Sequence, residues 1–164
     1  MDTNNATALK PIKLTYRQSV DDLMKNGPIL EVIMVPFRND DKTPLPKISL
    51  TALIDTGASH SAISNTYDPK EWLQNGDILE RSVDEQQVRR LLYMANIAIP
   101  NTTIFLEATT LFSRKLSDGD GNDYKRIDML IGRDLLGTSE FLVNFATGEW
   151  SLVLPRYRVR NWPI

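Results

Sequence analysis

The 164-residue chain has no cysteine and a single histidine, His60. The first absence excludes a disulfide framework, a cysteine nucleophile and any thiolate metal site. The second excludes a multi-histidine zinc centre and leaves a serine–histidine mechanism only one candidate base. A chain without cysteine suits a reducing compartment. Charge of one sign is also missing: 19 Lys and Arg stand against 21 Asp and Glu, a net charge of −2. That balance supplies no basic field, so a nucleic-acid partner is not expected. No apolar run approaches the roughly 20 residues that span a bilayer. Residues 1–10 lack the apolar stretch of a secretion signal. Neither a membrane partner nor secretion is therefore expected, and the glycosylation-type triplets beginning at Asn5 and Asn101 read as chance matches. With 41% hydrophobic residues, the length suits one ordinary domain with a sizeable core.

What the chain does contain is a series of short apolar stretches separated by turn residues. Residues 1–28 are polar and weakly periodic, and read as an N-terminal arm or leader with a short helical turn near 20–25. Strands are expected over 29–37, 47–54, 60–64, 78–83, 88–99, 103–112 and 127–131. A last hairpin is expected over 141–145 and 149–154, around Ala146-Thr147-Gly148. Segment 67–73 reads as one helical turn, with Asp68 as cap, Pro69 at its first position and Glu71 at capping-box spacing. Trp72 then packs inward as a core anchor. Residues 133–136 read as a short helix closed by Gly137. Many short strands of this kind indicate a closed, mostly β barrel. Its domain is expected over 29–155, followed by a tail, 156–164, that carries Arg156, Arg158 and Arg160.

The richest local signal is Asp55-Thr56-Gly57-Ala58-Ser59, placed where the apolar strand 47–54 stops. A carboxylate in that setting is costly unless its charge is shared or hydrogen-bonded. Two such aspartates facing each other can share one proton and activate a water molecule, because two carboxylates a few ångströms apart do not both ionise. The chain has one such motif, so the pair requires a second copy of the chain. Gly57 lets the backbone approach the carboxylate and present its N–H. Thr56 brings a small hydroxyl that can bond across to a partner loop, and Ala58 leaves room for substrate backbone. A second motif follows at Ile127-Asp128-Met129-Leu130-Ile131-Gly132-Arg133-Asp134-Leu135-Leu136: apolar residues, a glycine, then a polar helix start.

Together the two motifs make the chain resemble the retropepsins, the aspartic proteases of retroviruses and related elements. The resemblance spans about residues 29–154, and its specific residues lie in 52–63 and 127–136. It implies a β-barrel monomer with a flap hairpin and one short C-terminal helix, which dimerises so that each copy contributes one catalytic Asp. Asp55 matches that Asp, and Thr56 and Gly57 match its neighbours. Ile131, Gly132, Arg133 and Asp134 match the structural motif that threads beneath the catalytic loop. Residues 68–73 and the Phe-Leu-Val-Asn-Phe stretch at 141–145 are most similar to plant pararetrovirus proteases, with LTR-retrotransposon proteases and cellular relatives as alternatives. The implied activity is cleavage of a polyprotein, in the host cytoplasm or the virus particle, with a peptide substrate, a homodimer as the working unit and no cofactor. The remaining alternative is a catalytically silent module of the same fold that dimerises or binds peptide.

The chain departs from the family pattern at several points. Many members carry an Asp where Ser59 stands, paired with the Arg of the second motif, so Arg133 needs another partner. If 78–99 is the flap, its tip, Asp84-Glu85-Gln86-Gln87, has no glycine. Ala58, Ser59 and His60, at the edge of the implied groove, are candidate substrate contacts, and Val83 and Leu92 are candidates from the hairpin. The acidic stretch 118–123 invites a calcium reading, but Asp123 and Met129 stand where an EF-hand needs Gly and Glu. No metal site is expected.

Overall fold

The computed structural model describes residues 11–81, 86–102, 104–119 and 124–155. In chain order its elements are β1 (Ile12–Arg17), α1 (Val20–Asn26), β2 (Ile29–Pro36), β3 (Ile48–Ile54), β4 (Ala62–Ser64), β5 (Gln74–Arg81), β6 (Gln87–Ala98), β7 (Phe105–Arg114), β8 (Met129–Ile131), α2 (Arg133–Leu136), β9 (Glu140–Asn144) and β10 (Glu149–Leu154). The architecture is mostly β, as the run of short apolar stretches implied.

Period-two burial explains the first ladder. Leu30, Val32 and Met34 of β2 and Leu50, Ala52 and Ile54 of β3 turn to the core, and the two strands pair antiparallel. β4 and β8 are three residues each and nearly all buried, as befits strands covered on both faces. Seven strands follow the order β2-β3-β8-β4-β7-β6-β5. β6 is long enough to serve two partners on one edge. Its residues 95–98 pair with β2 and its residues 87–93 with β5. The β2–β6 ladder therefore closes six strands into a ring, and β5 lies outside it, with β6 as its ladder partner.

A second sheet, β1-β10-β9, packs on the same core. Trp150 of β10 is almost fully buried, stacks on Tyr16 with ring centroids 4.3 Å apart and takes Phe141 edge-on at 6.1 Å. No helix among the described residues is long and apolar enough to cross a membrane.

Two expectations need correction here. Residues 1–28 read as an arm or leader, yet from Ile12 onward they belong to the fold. β1 pairs with β10 along its whole length, from Ile12 opposite Leu154 to Arg17 opposite Glu149. Ser19 caps α1 by accepting the Asp22 N–H at 3.1 Å, and Leu23 is fully buried. Gln18 fastens the segment with all four of its amide capacities. Its Oε1 accepts from Ile29 N–H and Trp150 Nε1, each at 2.8 Å. Its Nε2 donates to the Gly27 carbonyl at 3.0 Å and to Asp22 Oδ2 at 3.1 Å. Among the described residues the fold accordingly has two helices, α1 and α2, rather than one. Residues 1–10 and the arginine-bearing tail 156–164 lie outside the described residues.

Segment 67–73, read as a helical turn, is instead a pair of turns. Asp68 Oδ1 accepts the Lys70 N–H at 3.1 Å, and the Pro69 carbonyl accepts the Trp72 N–H at 3.0 Å. The helix does not propagate because Trp72 bridges to Arg38 and packs edge-on against Tyr93 at 6.1 Å. Trp72 itself is a core residue, 6% exposed.

Candidate active site

β3 and β8 run parallel, with Ile54 opposite Ile131, and both end at one place. There the Asp55 N–H donates to the Ile131 carbonyl at 3.0 Å, extending the ladder by one residue and fixing where the side chain leaves the backbone. Asp55 is half-buried. The chain turns at once, and Asp55 Oδ1 accepts the Gly57 N–H at 2.9 Å and the Ala58 N–H at 3.3 Å. Among the described residues no donor reaches Oδ2. A Cβ at Gly57 would stand 3.1 Å from Oδ1, so glycine keeps the loop tight around the carboxylate. Thr56 and Gly57 are exposed.

The second motif lies directly beneath this loop. The Arg133 N–H donates to the Ala58 carbonyl at 2.9 Å and the Asp134 N–H to the Ser59 carbonyl at 3.2 Å. A Cβ on Gly132 would sit 2.7 Å from the His60 carbonyl carbon and 2.8 Å from its oxygen. Gly132 has an ordinary φ of −91°, so close approach of two backbones, not an unusual conformation, demands the glycine. The structure thus brings Asp55, Thr56, Gly57, Ala58, Ser59 and His60 together with Ile131, Gly132, Arg133 and Asp134.

One residue of this constellation escaped the sequence reading. Ser61, fully buried, donates its hydroxyl to Asp134 Oδ1 at 2.7 Å and its backbone N–H to Asp134 Oδ2 at 2.9 Å. The same hydroxyl accepts the Gly132 N–H at 2.9 Å. Asp134 therefore clamps the strand that follows the loop. Arg133 is exposed and makes no ion pair among the described residues. The only sequence signal for Ser61 is a small hydroxyl residue at the head of the buried stretch Ala62-Ile63.

A buried acid steadies the middle of β3. Asp128 is 8% exposed. Its Oδ2 accepts the Thr51 N–H at 3.1 Å, and its Oδ1 accepts Arg126 Nε at 2.8 Å. Burial, and then the neighbouring Asp128 carboxylate, push the Tyr67 phenol above its ordinary value of 10.0. Among the described residues no cluster of three or more His, Asp or Glu is placed to hold a metal ion.

Beside the loop opens a cleft of about 350 Å³, lined by residues 57–60, by 78–81 of β5, and by Phe112 and Arg114 of β7. The candidate contacts Ala58, Ser59 and His60 line it. His60 is exposed, with Nδ1 3.1 Å from Ser59 Oγ. Leu92 does not line it. It is half-buried in the β6–β7 ladder opposite Phe112, and the outer strand β5 supplies that wall through Ile78 and Leu79. The reason is topological: β6 lies between β5 and β7 in the sheet, and it is those two flanking strands that border the cleft. Val83 lies outside the described residues, as do 120–123 of the acidic stretch.

No protein-family model matches the chain, and no curated protein sequence matches it significantly.

Proposed function

We propose that the protein is an aspartic endopeptidase of the retropepsin type, acting as a homodimer on a polyprotein substrate. The observation that carries this reading is the Asp55 loop. A single carboxylate per chain stands at the end of a core strand, gripped on one oxygen by Gly57 and Ala58 and undergirded by the Gly132 segment. On this reading the strand ring is the monomer barrel and the β5–β6 hairpin is the flap. The cleft between that hairpin and residues 57–60 receives an extended peptide, held by strand-like backbone hydrogen bonds.

In the proposed dimer two Asp55 side chains face each other and share one proton. The ionised carboxylate takes a proton from a water molecule as the water oxygen attacks the peptide carbonyl carbon. The protonated carboxyl hydrogen-bonds to the carbonyl oxygen and passes its proton to it, giving a neutral gem-diol. That intermediate collapses as the C–N bond breaks: the protonated carboxyl gives its proton to the departing amine, and the ionised carboxylate takes one from a gem-diol hydroxyl, so the pair again holds one proton. No cofactor enters.

The test is Asp55→Asn, which leaves the loop's Oδ1 contacts feasible but removes the acid–base group. Cleavage of a peptide mixture should fall by at least about 10²-fold, the low end of what general acid–base catalysis contributes. Sedimentation across a range of concentrations should show a monomer–dimer equilibrium. A variant that still cuts, or a cutting species that is monomeric, overturns the proposal. Dimers of the unmutated protein that never cut any peptide would favour the silent binding module instead.

A further inference from the structure

We infer that the cleft beside the Asp55 loop selects peptides with an acidic side chain, which it recognises through Arg81 and Arg114. The inference rests on the endopeptidase reading and adds to it a substrate class.

Among the described residues Glu80 is the one carboxylate lining the cleft, and it is already committed. Its Oε2 pairs with Arg90 Nε at 3.1 Å and its Oε1 with Arg114 Nη1 at 3.2 Å. Its side chain is three-quarters shielded. Two guanidinium groups thus face one carboxylate, and the trio carries a surplus positive charge. Arg81, the next residue on β5, also lines the cleft, is exposed, and makes no ion pair among the described residues. The lining therefore holds two arginines against one spent glutamate, in a chain whose overall charge is −2.

The geometry of the fork sharpens the preference. The Glu80 contact engages Arg114 through Nη1, and a guanidinium has five N–H donors suited to a two-pronged carboxylate. Ile78, half-buried in the same cleft, offers apolar surface to the methylenes of a glutamate. A lysine there meets the like charges of Arg81 and Arg114, with the Glu80 carboxylate already doubly paired. A glutamine fits the space but gains no charge assistance. Because the cleft is open to solvent, screening keeps the preference modest.

The experiment uses the full chain and synthetic decapeptides. A peptide that the protein cuts is identified from a mixture, then remade with Glu, Gln or Lys at each position in turn, and kcat/KM is measured for each. At one position Glu should be favoured over Gln by roughly five- to tenfold, the scale of a partly solvated charge-assisted contact. That ratio should shrink toward unity in about 1 M salt. Arg81→Glu should invert it in favour of Lys, and Arg114→Gln should lower it. Each variant is judged by its own Glu-to-Gln ratio, so a general loss of rate does not mask the result. A ratio near one at every position, or one unchanged in both variants, overturns the inference while leaving the endopeptidase reading intact. Failure to cut any peptide overturns both.

Discussion

Truncating Ser61 to alanine probes the clamp that seats the Asp55 loop. The hydroxyl donates to the Asp134 carboxylate at 2.7 Å and accepts the Gly132 N–H at 2.9 Å, at a position with no solvent exposure. A hydrogen bond to a charged group contributes about 1.5–3 kcal/mol, and leaving a buried N–H without an acceptor costs about 1–3 kcal/mol. The two do not add in full, because Asp134 keeps the Ser61 backbone N–H at 2.9 Å and its own bond from Leu135 N–H at 2.9 Å. A net loss of about 2–4 kcal/mol follows. For a chain of this length that is a fall in Tm of roughly 5–15 °C. Urea unfolding reads it directly, with an unchanged slope and a lower midpoint. Protein concentration must be held fixed, since association would move the midpoint by itself. Ser59→Ala, an equal truncation two residues earlier on the exposed side of the loop, should stay within about 0.5 kcal/mol. Asp134→Asn should fall between the two, because an amide keeps one acceptor oxygen but presents N–H groups where the other oxygen stood. If Ser61→Ala is as harmless as Ser59→Ala, the clamp does not hold the loop and the reasoning fails.

Two further outcomes test the N-terminal segment and its anchoring. Leu23→Ala in α1 should lose about 2–5 kcal/mol by urea unfolding, whereas a segment that merely trails from the domain would give no measurable change. Burial works against the Asp22 charge, but hydrogen bonds from Lys125, Gln18 and Asn26 outweigh it and hold the carboxyl below its ordinary value of 3.8. Its contribution is therefore present above that value and lost as pH falls through the lower folded-state value. The stability gap between the unmutated protein and Asp22→Asn should be full near neutrality and close as the solution is acidified below about pH 4, and a gap independent of pH would refute this.

What the amino-acid pattern made legible, and what it hid, follows from the range of each interaction. β2, β3 and the β9–β10 hairpin announce themselves because alternation and turn residues are local, and Gly137 after Leu136 marks the end of α2 for the same reason. β1 stayed hidden because none of its side chains is fully buried. Its apolar residues, Ile12, Leu14 and Tyr16, acquire meaning only against β10, some 140 residues later. Segment 67–73 carried every local helix signal, and those signals lost to the pull of Trp72 toward Arg38 and Tyr93. At the site, Gly57 could be named from its place beside a carboxylate, and Gly132, crowded by the His60 backbone, from the motif it matches. Ser61 and Asp134 could not be matched, since nothing in a spacing of 73 residues couples a serine to an aspartate. Nor does alternation along β6 tell which strand of the hairpin lines the cleft, where Ile78 and Leu79 stand and Leu92 does not.

The proposed chemistry explains why such a loop would be built only once per chain. A solitary carboxylate is at any moment either an acceptor or a donor of a proton. Peptide hydrolysis needs both at once, an acceptor for the attacking water and a donor for the carbonyl oxygen. Two identical groups brought within a few ångströms divide these roles without any difference in sequence, because repulsion between like charges leaves one protonated and the other ionised. The arrangement places two demands on the single chain: the carboxylate must be rigid, and its approach must stay open. Oδ1 is fixed by two N–H groups of its own loop, Oδ2 has no donor among the described residues, and Thr56 and Gly57 face outward. Rigidity comes from below, through Gly132 and the Ser61–Asp134 clamp, so no side chain has to cross the face on which a second copy would dock.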